Sequence, residues 1–288
     1  GWDSPWVYGT IIIGVVSLVA FAIRQLRSNT PLLELRTYKY PMFALSSVIS
    51  ITVSMAMFSG MILTPLYTQN ILGMSPLDSG LLMLPGALVM GFMSPITGRL
   101  FDKYGARSLA ITGLSIMLVS TYFLTNLTFD TSYTYLMIVY SVRMFGMSMV
   151  MMPVSTNGLN QLPTAMYPHG TAINNTLQQV SGAIGTAILM TIMTNRAAST
   201  GETLVKEAMT KAADSGQATQ ASSDVIAAMQ TRIEMEALLD GINYSFWVSM
   251  IIAIIPLILA FFIKRSTSTL AKSKANQQAG KEDKLTAH

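Results

Sequence analysis

The hydrocarbon core of a bilayer is about 30 Å thick and takes roughly 20 mainly apolar residues per helical crossing. Seven stretches of this chain meet that requirement: residues 6–23, 42–66, 80–97, 108–125, 133–152, 171–194 and 242–263, bounded by charges. No other feature restricts the possible folds as strongly, and the chain reads as an all-α integral membrane protein. Composition agrees, because 51% of the 288 residues are hydrophobic and only 11% are charged, against about 25% charged in globular domains. The third, fourth and sixth runs are diluted by Gly, Pro, Ser, Thr and Asn, residues that pack membrane helices on one another rather than on lipid.

The net charge of +4 would admit a nucleic-acid partner if the cations formed a patch, but they lie in the connections and the tail. Their distribution orients the chain. Arg24, Arg27, Arg36 and Lys39 follow the first run; Arg99, Lys103 and Arg107 separate the third from the fourth; Lys264, Arg265, Lys272, Lys274, Lys281 and Lys284 follow the seventh. Short connections rich in Lys and Arg stay on the cytoplasmic side. The connections 67–79 and 126–132 hold Asp78 and Asp130 but no cation, so they are expected outside, with the C-terminus in the cytoplasm. The long connection 195–241 also falls outside. Its apolar residues recur at helical spacing (Leu204, Val205, Ala208, Met209, Ala212; then Val225, Ile226, Met229, Ile233, Leu238), which predicts two short amphipathic helices around a joint at Asp214 to Ser223.

With no Cys and only His169 and His288, the chain lacks the residues for disulfides, thiolate sites or a histidine metal site. It begins at Gly1 without a basic n-region, so its first run is no signal peptide and the chain reads as a piece of a longer polypeptide. Residues 266–288 are Lys, Ser, Gln and Ala without apolar periodicity and are expected to be disordered.

Gly98, Asp102, Lys103, Gly105 and Arg107 stand in the connection between the third and fourth runs. The glycines permit a tight turn, Asp102 suits a helix start, and the cations suit lipid headgroups. The segment resembles the cytoplasmic signature of the major facilitator superfamily, Gly-x-Leu-x-Asp-Arg/Lys-x-Gly-Arg/Lys-Arg/Lys. Pro31 to Arg36, Leu66 to Pro76, and Gly158 to Gly185, which includes Pro168-His169-Gly170 and Asn174-Asn175-Thr-Leu-Gln178-Gln179, are similar to the fourteen-helix drug:proton antiporters of the EmrB/QacA type. That resemblance implies a C-terminal six-helix bundle at residues 41–265, with loop 195–241. A linker transmembrane helix and connection would occupy residues 1–40, and a cytoplasmic tail residues 266–288. It also implies alternating-access export of amphipathic or toxic compounds from a cell membrane, driven by a proton gradient with no cofactor. The partners would be a small-molecule substrate, the lipid bilayer and an N-terminal half of the same transporter. Export of a specific metabolite, lipid or siderophore, or a non-transporting scaffold role, remain open alternatives.

Several polar residues are candidates for the pathway. Arg143 is the only ionisable residue deep in any run, where an Arg costs about 2.5–3.5 kcal/mol on insertion scales. It therefore faces either a cavity or backbone carbonyls. Thr171, Asn174, Gln178, Ser181 and Gly185 form one stripe of the sixth run, with Asn175, Gln179 and Gly182 alongside. Asn174 and Gln178 are expected on the pathway, with Asn175 beside them, and the Ser181, Gly182 and Gly185 end is expected to pack. Tyr67 and Gln69 sit at the outer lip, where Tyr67 either lines an exit or anchors in the interface. Pro85, Gly86, Gly91 and Pro95 predict a bend in the third run. No Asp or Glu lies in any run, so a proton-coupling carboxylate is expected from the other half. Without a nucleophile beside a base or a nucleotide loop, the chain does not read as an enzyme.

Overall fold

The computed structural model describes residues 4–28, 33–214 and 223–264, and all regular elements among them are helical. They are α1 (Pro5–Arg27), α2 (Pro41–Asn70), α3 (Pro76–Phe123), α4 (Tyr133–Leu159), α5 (Tyr167–Asp214) and α6 (Ser223–Ala260), with single-turn 3-10 segments at Leu35–Lys39 and Thr164–Met166. Pro5, Pro41 and Pro76 open their helices in the first turn, where the missing N–H removes no helical bond. Ser75 and Ser132 cap α3 and α4 by accepting the N–H groups of Asp78 and Tyr135. All six helices are long and apolar enough to cross a membrane.

At 48 residues α3 is too long for one crossing, since it would span about 72 Å at 1.5 Å per residue. Its neighbours show that it crosses twice. Going up its first arm, Gly86 meets Tyr140 and Met144, and Gly98 meets Met152, so this arm runs parallel to α4. On the second arm Gly113 meets Gly146 and Val150 while Thr121 meets Arg143, so that arm runs antiparallel to α4. The chain reverses at Gly105, whose φ of 80° and ψ of 168° lie in a region that is essentially open to glycine alone. The expected connection between the third and fourth runs is therefore corrected to a break at one glycine. Because that residue absorbs the whole reversal, Asp102, Lys103 and Arg107 stay helical, and Asp102 stands inside an arm rather than at a helix start. Gly105 is the single non-helical residue within α3, so Pro85 and Pro95 are carried inside regular helix.

The connection 195–241 also differs from expectation. Helical spacing was the right signal, but the described parts are continuations of α5 and α6 rather than separate short helices. Gly241 lets the two come together, since a Cβ there would lie 2.6 Å from the Met193 carbonyl oxygen. Residues 215–222, within the expected joint, and the tail 266–288 lie outside the described residues.

α2 is the centre of the bundle, packed by α4, α5 and α6, while α3 embraces α4. Two apolar clusters fill the interior. One joins Ile49, Val53, Leu114, Met147 and Val150 towards the Gly105 end; the other joins Leu63, Leu82, Leu136, Ile242 and Phe246 towards the hairpin end. Outside them is an apolar surface, as a chain immersed in lipid requires. On α1, Ile12, Ile13, Val16 and Leu18 are exposed and only Gln25 is buried, its Oε1 accepting the Leu33 N–H at 3.4 Å.

Candidate functional site

Between the two apolar clusters lies a polar layer centred on Arg143, which is 0% exposed. Its Nη2 donates to the Ala56 carbonyl at 2.5 Å and its Nε to Thr121 Oγ1 at 3.3 Å. The Ala56 carbonyl also accepts from Ser59 Oγ at 2.6 Å, and Ser59 Oγ lies 2.8 Å from Ser249 Oγ. The layer thus ties α2, α3, α4 and α6 together. Room for the guanidinium comes from Gly60, where a Cβ would fall 1.5 Å from Nη1. Nη1 finds no acceptor among the described residues. A buried charge is tolerated when dipoles replace its hydration, and here the Ala56 carbonyl and the Thr121 hydroxyl do so without any acid. Arg143 therefore bonds α4 to α2 and α3 within the bundle. Its side chain is enclosed by α2, α3 and α4.

Tyr67 is also placed in packing. Its ring is 0% exposed within the hairpin-end cluster, and its hydroxyl donates to the Thr128 carbonyl in the α3–α4 connection. Gln69, two residues on, is exposed at the end of α2. Among the signature residues, Asp102, Lys103 and Arg107 are exposed, Gly98 is half-buried against Met152, and Gly105 is buried.

α5 divides its polar residues between two faces. Asn174 is buried and donates Nδ2 to Ser155 Oγ on α4 at 2.8 Å. Ser181, Gly182 and Gly185 turn to α2, where a Cβ at Gly182 would sit 2.4 Å from the Phe58 ring and one at Gly185 2.7 Å from Met55 Cα. Gln178 is half-buried, and Thr171, Asn175 and Gln179, four residues apart, form an exposed line. Amide side chains donate and accept, and hydrocarbon offers them nothing in return. Such a line at membrane depth requires water, ligand or another protein surface against it.

Sequence reasoning singled out Arg143 and the α5 stripe but missed Gly60, which makes room for the guanidinium, Thr121, which accepts from it, and Ser59 and Ser249, which extend the layer from the Ala56 carbonyl. Gly60, the single glycine of the 42–66 run, was the available signal. Among the described residues no group of three His, Cys, Asp or Glu is placed to hold a metal.

Comparison with known proteins adds the following. The sequence profile of the Major Facilitator Superfamily matches residues 1–186. An uncharacterized MFS-type transporter, YhcA of Bacillus subtilis, is 55% identical over 196 residues, 68% of this chain and 37% of that protein. The lincomycin resistance protein LmrB of Bacillus subtilis is 43% identical over 265 residues, 92% of this chain and 51% of that protein. The probable multidrug resistance protein EmrY of Escherichia coli is 26% identical over 204 residues, 68% of this chain and 40% of that protein. The chain spans about half the length, or less, of these curated relatives.

Proposed function

Since the chain belongs to the Major Facilitator Superfamily, and so to a family of multi-pass membrane transporters rather than enzymes, we propose that it forms the C-terminal half of a fourteen-helix drug exporter. α1 is then a linker helix and α2 to α6 are the C-terminal bundle. The end bearing Arg99, Lys103 and Arg107 faces the cytoplasm of the cell and the α5–α6 hairpin faces outside. The exporter works by alternating access of two bundles about a midplane site, exchanging amphipathic or toxic compounds for protons. The coupling carboxylate belongs to the partner bundle, because the spans of this chain hold no acid. The resistance and multidrug names of two relatives support export of drugs.

The observation that carries this reading is the exposed line Thr171, Asn175 and Gln179, with Gln178 at its edge, on a helix whose other face is packed on α2. Amides on a cavity wall accept varied ligands, since each can donate or accept. The test is Asn175→Leu with Gln179→Leu in the full-length protein, assayed for lincomycin and dye efflux from energised cells. The expected result is normal membrane insertion and melting temperature with efflux severely reduced. Unchanged efflux would place the line against lipid or a static contact and sink the proposal.

A further inference from the structure

Where α6 leaves the hairpin, Asp240 accepts two bonds on a single oxygen: Arg196 Nε at 2.8 Å and Thr200 Oγ1 at 2.6 Å, both on Oδ2. Its side chain remains 38% exposed, and that of Arg196 47%. The Arg196 guanidinium also lies 5.1 Å from the Tyr244 ring centroid, and Tyr244 stacks on Trp247 with centroids 6.2 Å apart and planes 20° apart. Facing them across a cleft of about 410 Å³ are Tyr122, from the end of the second arm of α3, and Thr125, just beyond it. The connection that follows is held in place by Asn243, which accepts the Leu127 N–H at 3.1 Å and donates to the Leu127 carbonyl at 2.9 Å. The volume is within the range of ligand clefts, about 300–1,000 Å³.

The lining combines three aromatic rings with one carboxylate and no cation of its own, the chemistry that draws an ammonium group. Arg196 at the rim balances Asp240, so a zwitterion suits the site better than a bare cation: its phosphate meets the exposed guanidinium and its ammonium meets Asp240 and the rings. Below the cleft the same face of α6 continues, at spacings of three and four residues, through Ile251, Ile254, Ile255 and Ile258, all exposed, and Val119 of α3 is exposed beside Tyr122. That apolar track is where an acyl chain would lie.

The geometry points to a binding site for the headgroup of a zwitterionic, ammonium-bearing lipid in the leaflet at the hairpin end. This goes beyond the transport reading and does not depend on it. Other membrane-facing surfaces provide the comparison, since α1 exposes apolar residues without a carboxylate, and the cleft at its end is lined by the cations Arg24 and Arg27 instead of by an acid and rings.

The test is photo-cross-linking of the full-length protein in nanodiscs with a phosphatidylethanolamine carrying a diazirine near its headgroup, mapped by peptide mass spectrometry. Labelling concentrates on residues 122–126 and 240–247 over the α1 peptide, and it is displaced by unlabelled phosphatidylethanolamine but not by phosphatidylglycerol. Trp247→Leu lowers it about three- to fivefold, the size of an exposed cation–π contact, and Asp240→Asn by a comparable factor, the size of an exposed ion pair. If Asp240→Asn does not fold, Tyr122→Leu replaces it with the same expected loss. Thr200→Val, which keeps the carboxylate but removes one tether, retains the lipid preference. Labelling equal to that of α1, equal displacement by phosphatidylglycerol, or undiminished labelling in both ring and carboxylate variants overturns the assignment. Displacement by dodecyltrimethylammonium but not by phosphatidylethanolamine overturns it as well, giving the cleft to free cationic amphiphiles.

Discussion

Placing one methyl group at Gly60 tests the buried polar layer directly. In Gly60→Ala the new Cβ would stand 1.5 Å from Arg143 Nη1, 2.4 Å from Cζ and 2.7 Å from Nη2. Heavy atoms need about 3.5 Å, so the guanidinium must retreat by about 2 Å, which breaks the 2.5 Å bond to the Ala56 carbonyl. Interhelical hydrogen bonds in membranes contribute about 0.6–2 kcal/mol, and a charged donor roughly doubles that. Overpacking adds about 1–3 kcal/mol, while alanine recovers up to about 1 kcal/mol of helix propensity. The net expected loss is about 1–7 kcal/mol. The same substitution in an Arg143→Met background meets a flexible side chain with no fixed fork, so its cost should fall close to zero. Chemical unfolding of the four proteins of this cycle, followed by circular dichroism, measures the coupling, expected at about 1 kcal/mol or more. Additivity within about 0.5 kcal/mol, the behaviour of independent sites, would refute the claim that Gly60 exists to seat Arg143.

The remaining predictions are briefer. Gly105→Ala forces a Cβ into a backbone region that costs about 1–3 kcal/mol, so it should lower the melting temperature and yield; a variant as stable as the parent would show that the reversal is elsewhere. Tyr67→Phe removes one buried hydrogen bond and should cost about 0.5–1.5 kcal/mol while leaving drug efflux unchanged; lost efflux at full stability would return Tyr67 to the pathway. Because the 288 residues contain no cysteine, Lys103→Cys and Lys211→Cys report topology cleanly, and an impermeant maleimide should label only Lys211→Cys in intact cells. Labelling of both from one side would overturn the orientation.

Much of the architecture is legible locally. A run of apolar residues satisfies its own backbone bonds wherever it is placed, so the crossings are recoverable from the sequence, and the cations between them mark one side. Gly105 was visible as a turn residue and the spacing in 195–241 as helix, because both signals reside in a few neighbouring residues. What could not be read is which side of each helix meets which neighbour. Asn174 and Asn175 are adjacent and chemically identical, yet one bonds to Ser155 and the other is exposed, because consecutive residues point about 100° apart and only the position of α2 and α4 decides which is covered. Arg143 reaches the Ala56 carbonyl because a glycine 83 positions away in the chain leaves room for its guanidinium. Arg196 and Asp240 are 44 residues apart and become partners only when α5 and α6 close as a hairpin. Local chemistry therefore determined that this chain crosses a membrane and where it turns. The rotation of its helices about their own axes, which assigns each polar group to core, surface or cleft, was decided by tertiary packing alone.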